Sequence, residues 1–219
     1  MDAKASVRIG LFSRGGRSWV EVKAADHDFK PDAKLTPFGI LLPASGELFL
    51  YFACSALTSD FMADVLTMWW EGVKADYPGV RRLLINQDNG PENSTRRTQY
   101  AKRLLEFAGS QGVEVRLACY PPYHSKYNPI ERCWGVLEQH WNGALLDSIP
   151  TALRFAGSMT WRGSHPLVEL VTKSYSKGVR LSPAEMARLE EQIERLPGLE
   201  KWFVSFPPPS DGSAGESLG

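Results

Sequence analysis

Two acidic residues stand where their neighbours point to chemistry. Asp88 closely follows the apolar run Leu83-Leu84-Ile85 and precedes a stretch of helical periodicity, which puts it at the carboxyl edge of a strand, where α/β proteins hold ligands. Asp88-Asn89-Gly90 also reads as a hairpin turn; a hairpin requires a second strand at once, whereas Pro91-Glu92-Asn93-Ser94 leads into a helix. Forty-two residues separate Asp88 from Glu131, which stands in Asn128-Pro129-Ile130-Glu131. There Asn128 reads as a helix cap, Pro129 as a first-turn residue and Glu131 as the acid of a capping box. Capping by itself explains Glu131 as well as chemistry does. Against it, Ile130, Trp134, Leu137 and Trp141 make the buried stripe, while Glu131, Gly135 and Glu138 share another face. A glycine between two acids lets something approach the helix closely.

The loop PPYHSKYNP ahead of that helix carries His124, Lys126 and Tyr127. Lysine at a helix N-terminus suits phosphate, and tyrosine or histidine can stack on bases; an ordinary surface loop is the competing reading, and for His124 alone the better one. His124 and Cys133 lack partners at zinc-ligand spacing. Trp69, Trp70, Trp134 and Trp141 read as core, and no P-loop or dinucleotide fingerprint occurs.

The elements that must position these residues follow from periodicity. Residues 2–9 alternate, with Ala3, Ala5, Val7 and Ile9 on one face and Asp2, Lys4, Ser6 and Arg8 on the other, the period of a half-buried strand. A Gly-rich turn (11–17), a short strand (17–24) and a polar loop ending near Lys34 follow. The apolar runs 37–43 and 46–55, joined by Ala-Ser-Gly, predict a hairpin buried on both faces. Ser59 or Asp60 caps a helix with Phe61, Val65, Met68, Trp69 and Val73 inward, ended by Pro78-Gly79. A strand at 80–86 leads to QDNGPEN and a helix at 94–111, capped by Ser94 or Thr95, with Leu104, Leu105 and Ala108 inward and Arg96, Gln99 and Arg103 along an exposed stripe. A strand at 113–120 and a helix from Asn128 to about Asp147 complete a mixed sheet covered by helices. Beyond Pro150, residues 151–161 and 182–196 look helical, and the last residues have the composition of a disordered tail.

Among its 219 residues, 43% are hydrophobic and 23% charged, which indicates neither disorder nor a membrane protein. Length allows one full α/β domain and a smaller appendage. Cys54, Cys119 and Cys133 form no CxxC pair and read as reduced thiols, and no secretory signal or long apolar run is visible. The formal net charge is zero, which taken alone argues against nucleic acid. The distribution reverses that: residues 80–135 hold nine Lys or Arg against five acids, and from Ser182 onward three basic residues face seven acidic ones.

The strings INQDNGPENSTRRTQYAKRLLEFA, YPPYHSKYNPIERCWGVLEQHWNG and MTWRGSHPLVEL resemble the DDE transposases of bacterial insertion sequences, in particular the ISAzo-type, or Rhodopirellula-type, group. The resemblance runs in order over roughly residues 2–205 and includes SRGGRS near the start, DHDF at 26–29, LTPFGIL at 35–41 and SDFMADVLTMWW at 59–70. It implies an α/β ribonuclease H-like fold with a mixed five-stranded sheet flanked by helices. It further implies two Mg2+ (or Mn2+) ions held by three carboxylates, and DNA strand cleavage and transfer as the activity. Carried over residue by residue, the carboxylates are Asp2 in DAKASVRIG, Asp88 in QDNG and Glu131 in NPIERCWG. Asn89, Arg96, Arg97, Arg103, His124, Lys126, Tyr127 and Arg132 are the DNA-contacting candidates. The resulting organisation is a catalytic domain at 1–150, a C-terminal helical extension at 151–205 and a disordered tail at 206–219. Transposon-end and target DNA are the expected partners, with self-association into a homo-oligomer a further option, no membrane contact, and the bacterial cytoplasm and nucleoid as the location. The family is expected to carry DNA-binding helices ahead of the first strand; their absence before Met1 leaves a fragment, a start assigned too late or a decayed element as the options. An inactive remnant that only binds DNA and a stand-alone nuclease are the alternative functions.

Overall fold

The computed structural model describes residues 1–12, 33–121, 124 and 127–209. The strand read at 17–24, the DHDF string, Lys126 and the end of the tail lie outside the described residues. In chain order the elements are β1 (Asp2–Ala3), β2 (Val7–Ile9), β3 (Ala33–Leu41), β4 (Leu48–Ala53), α1 (Ser59–Val73), β5 (Arg82–Gln87), α2 (Thr98–Gln111), β6 (Glu114–Cys119), α3 (Ile130–Trp141), α4 (Ile149–Ser158), β7 (Leu167–Val171), α5 (Pro183–Glu190), β8 (Glu194–Arg195) and β9 (Phe203–Phe206). They divide into two compact units, Met1–Leu57 with Lys126–Tyr175, and Thr58–Ser125 with Ser176–Gly219. The chain is a mixed α/β protein with five helices among the described residues, consistent with a ribonuclease H-like fold. Among the described residues no helix is long and apolar enough to cross a membrane.

The first unit is built on a mixed five-stranded sheet in which β3 pairs with β1, β2 and β4, and β7 lies parallel beside β4. The expected hairpin is β3–β4, turning through Gly46 at φ +84°. Every residue of β4 is buried, as an apolar strand covered on both faces must be. On one face Val7, Ile9, Leu50 and Phe52 pack with Ile130, Trp134, Leu137 and Trp141 of α3 and with Ala152 and Ala156 of α4.

The alternation expected over residues 2–9 breaks in the middle. Asp2 and Ala3 pair with Gly39 and Phe38, but Val7 pairs with Leu35, so residues 4–6 oppose only Thr36 and Pro37. One extra residue reverses the parity of side chains along a strand. Asp2 therefore shares the buried face with Val7 and Ile9, while Ala3 and Ala5 are exposed. The irregularity falls at Pro37, which lacks the N–H that a regular ladder needs; its carbonyl still accepts from the backbone N–H of Lys4 at 2.9 Å.

The second unit has a four-stranded sheet, β5–β6–β9–β8, with β5 parallel to β6 and the remaining pairs antiparallel. The strands read at 80–86 and 113–120 thus belong to this ladder and not to the five-stranded sheet. Thr58, not Ser59 or Asp60, caps α1, its hydroxyl accepting from the N–H of Phe61 at 3.2 Å. The buried face of α1 includes Phe61, Val65, Trp69 and Val73 as expected, while Met68, also expected inward, is only partly buried. Helix α2 starts at Thr98, four residues after Ser94, with no side-chain cap.

Residues 151–205, expected as a helical extension, hold strands as well as helices. Helices α4 and α5 stand close to where periodicity put them, but β7 completes the first sheet and β8 and β9 the second. These strands have two to five residues, too few to show a period, and their extended state is set by partners far away in sequence.

Gly39 is where α3 meets the sheet most closely: a Cβ there would lie 2.7 Å from Ile130 Cδ1 and 2.8 Å from Trp134 Cη2. Gly39→Ala is expected to cost about 1–3 kcal/mol of unfolding free energy by overpacking. Gly72→Ala in α1, where nothing lies within 4 Å, should gain about 0.5–1 kcal/mol by removing a helical glycine. Urea denaturation of the two variants checks both signs, and equal stabilities would mean that α3 is not tightly seated.

Candidate active site

Asp88 is the first residue past the carboxyl end of β5. The segment after it closes no hairpin, because β5 pairs in parallel with β6 and the chain proceeds to α2. Instead, side-chain amides tie this segment down. The amide of Gln87, buried at the strand end, donates to the carbonyl of Asn93 at 2.9 Å and accepts at its oxygen from the buried Tyr100 hydroxyl at 2.9 Å. Asn93 Nδ2 then donates to Asp88 Oδ1 at 2.8 Å. Asn89 Oδ1 accepts from the N–H of Thr95 at 3.1 Å, and Ser59 Oγ donates to the carbonyl of Glu92 at 2.6 Å. At Gly90 a Cβ would stand 2.9 Å from Asn93 Oδ1 and 3.2 Å from Asp88 Oδ2, so a larger residue there would displace these side chains. Burial pushes the Tyr100 hydroxyl far above its ordinary range and the neighbouring Cys119 thiol up to about 11, so both stay neutral near pH 7.

The same segment shapes an open concavity of about 400 Å³ lined by Asn89, Gly90, Pro91, Ser94, Arg96 and Arg97. Arg96 is exposed. Arg97 is partly neutralised by Glu92 at 3.1 Å. Arg103, expected on an exposed stripe, binds Asp64 at 2.6 Å, Glu106 at 3.3 Å and Asp60 at 3.5 Å, and Gln99 from the same stripe is buried against Asp60 at 2.7 Å. These two residues fasten α2 to α1, and the charge of Arg103 is compensated within the protein.

In the first unit Asp2 is 8% exposed and its Oδ2 accepts from Trp134 Nε1 at 2.8 Å. Glu131, in the first turn of α3, is half-buried. Asn128 does not cap α3; Pro129 occupies the cap position without a side-chain bond, and the Asn128 amide donates to the carbonyl of Met1 at 3.3 Å. Gly135, on the same helix, faces open space. Arg132, His124 and Tyr127 are exposed. Cys133 lies in the core with its thiol pushed up to about 12 by burial. Within either unit, no group of three His, Cys, Asp or Glu among the described residues is clustered to hold a metal. The donor chemistry of Asp2 and Asp88 nevertheless suits a hard divalent ion: both are carboxylates oriented by a neutral N–H donor.

Gln87, Asn93, Tyr100 and Trp134 were not legible as site residues in the sequence. An amide ending an apolar strand and a run dense in Asn were the available signals for the first two; for Trp134 there was none, since a buried tryptophan reads as core.

A family model described as Rhodopirellula transposase DDE domain matches residues 1–208. No curated protein and no solved structure matches the chain.

Replacing Gln87 by leucine keeps its approximate volume but leaves a buried tyrosine hydroxyl and the Asn93 carbonyl without their partner. Such orphaned groups cost about 1–3 kcal/mol. Gln87→Leu is therefore expected to lower the stability of the chain by that amount in chemical denaturation, and an unchanged midpoint would show that the amide network does not hold the Asp88 segment.

Proposed function

The chain belongs to the Rhodopirellula-type transposase DDE-domain family, and from that premise we propose that it cleaves DNA strands and transfers them to target DNA, with Asp2, Asp88 and Glu131 as metal-holding carboxylates. The observation that carries this reading is Asp88, fastened at the carboxyl end of β5 beside a concavity bearing Arg96 and Arg97. Two Mg2+ or Mn2+ ions, when bound, supply Lewis-acid polarisation of the phosphodiester and a more acidic attacking oxygen. Asn93 and Trp134 keep the Asp88 and Asp2 carboxylates oriented, and Arg96, Arg97 and the Asn89 side chain position a phosphate of the strand. Water attacks the phosphorus at the element's end; the bond to the 3′-oxygen breaks, leaving a 5′-phosphate and a free 3′-hydroxyl. That hydroxyl then attacks a phosphodiester of the target, forming the new linkage and releasing the target's own 3′-oxygen.

Nicking of supercoiled plasmid in Mg2+ tests the carboxylate assignment, and joining of a pre-cleaved end to plasmid tests the transfer step. Asp88→Asn and Glu131→Gln are each expected to bring both reactions to background with little loss of stability. A Glu131→Gln chain that nicks at the parent rate would reduce Glu131 to a helix-end residue.

Salt dependence separates the arginines that meet DNA from those that hold the protein together. Removing one side chain that neutralises a phosphate lowers the slope of log affinity against log salt by about one. Arg96→Ala is expected to weaken DNA binding and reduce the slope by about that amount. Arg103→Ala should leave the slope unchanged and lower the unfolding midpoint, since its charge is already compensated; the opposite pattern in fluorescence anisotropy would reverse their roles.

A further inference from the structure

We propose that Trp134 is a positioning residue whose indole N–H fixes the Asp2 carboxylate for metal binding; this rests on the reading of Asp2 as a metal ligand. β1 contributes only two residues to the sheet, so its ladder bonds alone orient Asp2 weakly. Helix α3 and the residues leading into it hold the strand at three successive points: Asn128 Nδ2 on the carbonyl of Met1 at 3.3 Å, Trp134 Nε1 on Asp2 Oδ2 at 2.8 Å, and Glu138 on Lys4 Nζ at 2.6 Å. Asp2 and Lys4 are two residues apart and Trp134 and Glu138 one helical turn apart, so one side of the segment formed by β1 and Lys4 is matched to one stripe of α3.

The choice of donor has consequences. Indole has one N–H and no acceptor, and it is uncharged, so it orients a carboxylate without neutralising it as lysine or arginine would. Trp134 is 6% exposed and its ring tip abuts Gly39, the register partner of Asp2. The ring is thus immobilised by the strand next to the carboxylate it serves.

Outer hydrogen bonds to a ligating group are typically worth about 10–100-fold in metal affinity. The test replaces Trp134 by benzothienylalanine, which keeps the bicyclic shape but has sulfur in place of N–H, with Trp134→Phe as a second variant. Mn2+ affinity is read from the electron paramagnetic resonance signal of free Mn2+, alongside the thermal midpoint. The expected result is Mn2+ binding weaker by about 10–100-fold in the isosteric variant, with the midpoint little changed. Parent-like Mn2+ affinity in that variant, with binding lost in Asp2→Asn, overturns the positioning role and leaves the Asp2 reading standing. Parent-like affinity in Asp2→Asn overturns the Asp2 reading and the inference with it. An isosteric variant that unfolds, with Trp134→Phe folded and binding Mn2+ normally, assigns the hydrogen bond to folding and also overturns the proposal.

Discussion

How closely a helix can lie on a sheet decides which polar groups meet beneath it, and in the first unit that distance is set by the absent side chain of Gly39. Ile130 and Trp134 occupy the space a Cβ would take. With α3 seated at that depth, the tryptophan nitrogen reaches the carboxylate of Asp2 on the adjoining strand. The one-residue irregularity opposite Pro37 completes the arrangement, because without it Asp2 would lie on the face away from Val7 and Ile9. A glycine, a proline and a tryptophan together bring an acidic side chain into a buried position where its orientation is held.

The second unit solves the same problem with amides. Gln87 ends the strand and is bonded on both sides of its side chain, so the turn beyond it is held by Asn93 and the position of Asp88 follows. Neutral donors serve both aspartates. A cation in either place would pair with the carboxylate and compete with any divalent ion for it, whereas an indole or a carboxamide restrains the group and leaves its charge intact.

Charge on the surface is sorted by the same packing. The chain has no net charge, so affinity for phosphates depends on which guanidinium groups remain uncompensated. Arg103 is surrounded by Asp60, Asp64 and Glu106 and stabilises the α1–α2 pair. Arg97 is shared with Glu92, and Arg96 is left exposed at the concavity beside Asn89. Arg96, Arg97 and Arg103 thus resolve into one exposed cation, one half-compensated cation and one structural clamp.

The sequence by itself determined the elements whose signal is local: the hairpin of β3 and β4, the inward faces of α1 and α3, the strands β5 and β6 and the address of Asp88. Hydrophobic periodicity and turn residues act within a few positions, so these could be read without knowing what packs where. The family resemblance likewise rests on contiguous strings, and it was the route to Asp2. Only the tertiary structure decided that Asp2 is buried, that Asn128 serves Met1 and does not cap α3, that Arg103 is compensated, and that residues 151–205 supply strands to both sheets. The hydrogen bond between Trp134 and Asp2 joins groups 132 residues apart, and its existence depends on strand register, side-chain parity and helix depth. Each of those is set by the chain's folding onto itself, and no window of sequence contains them.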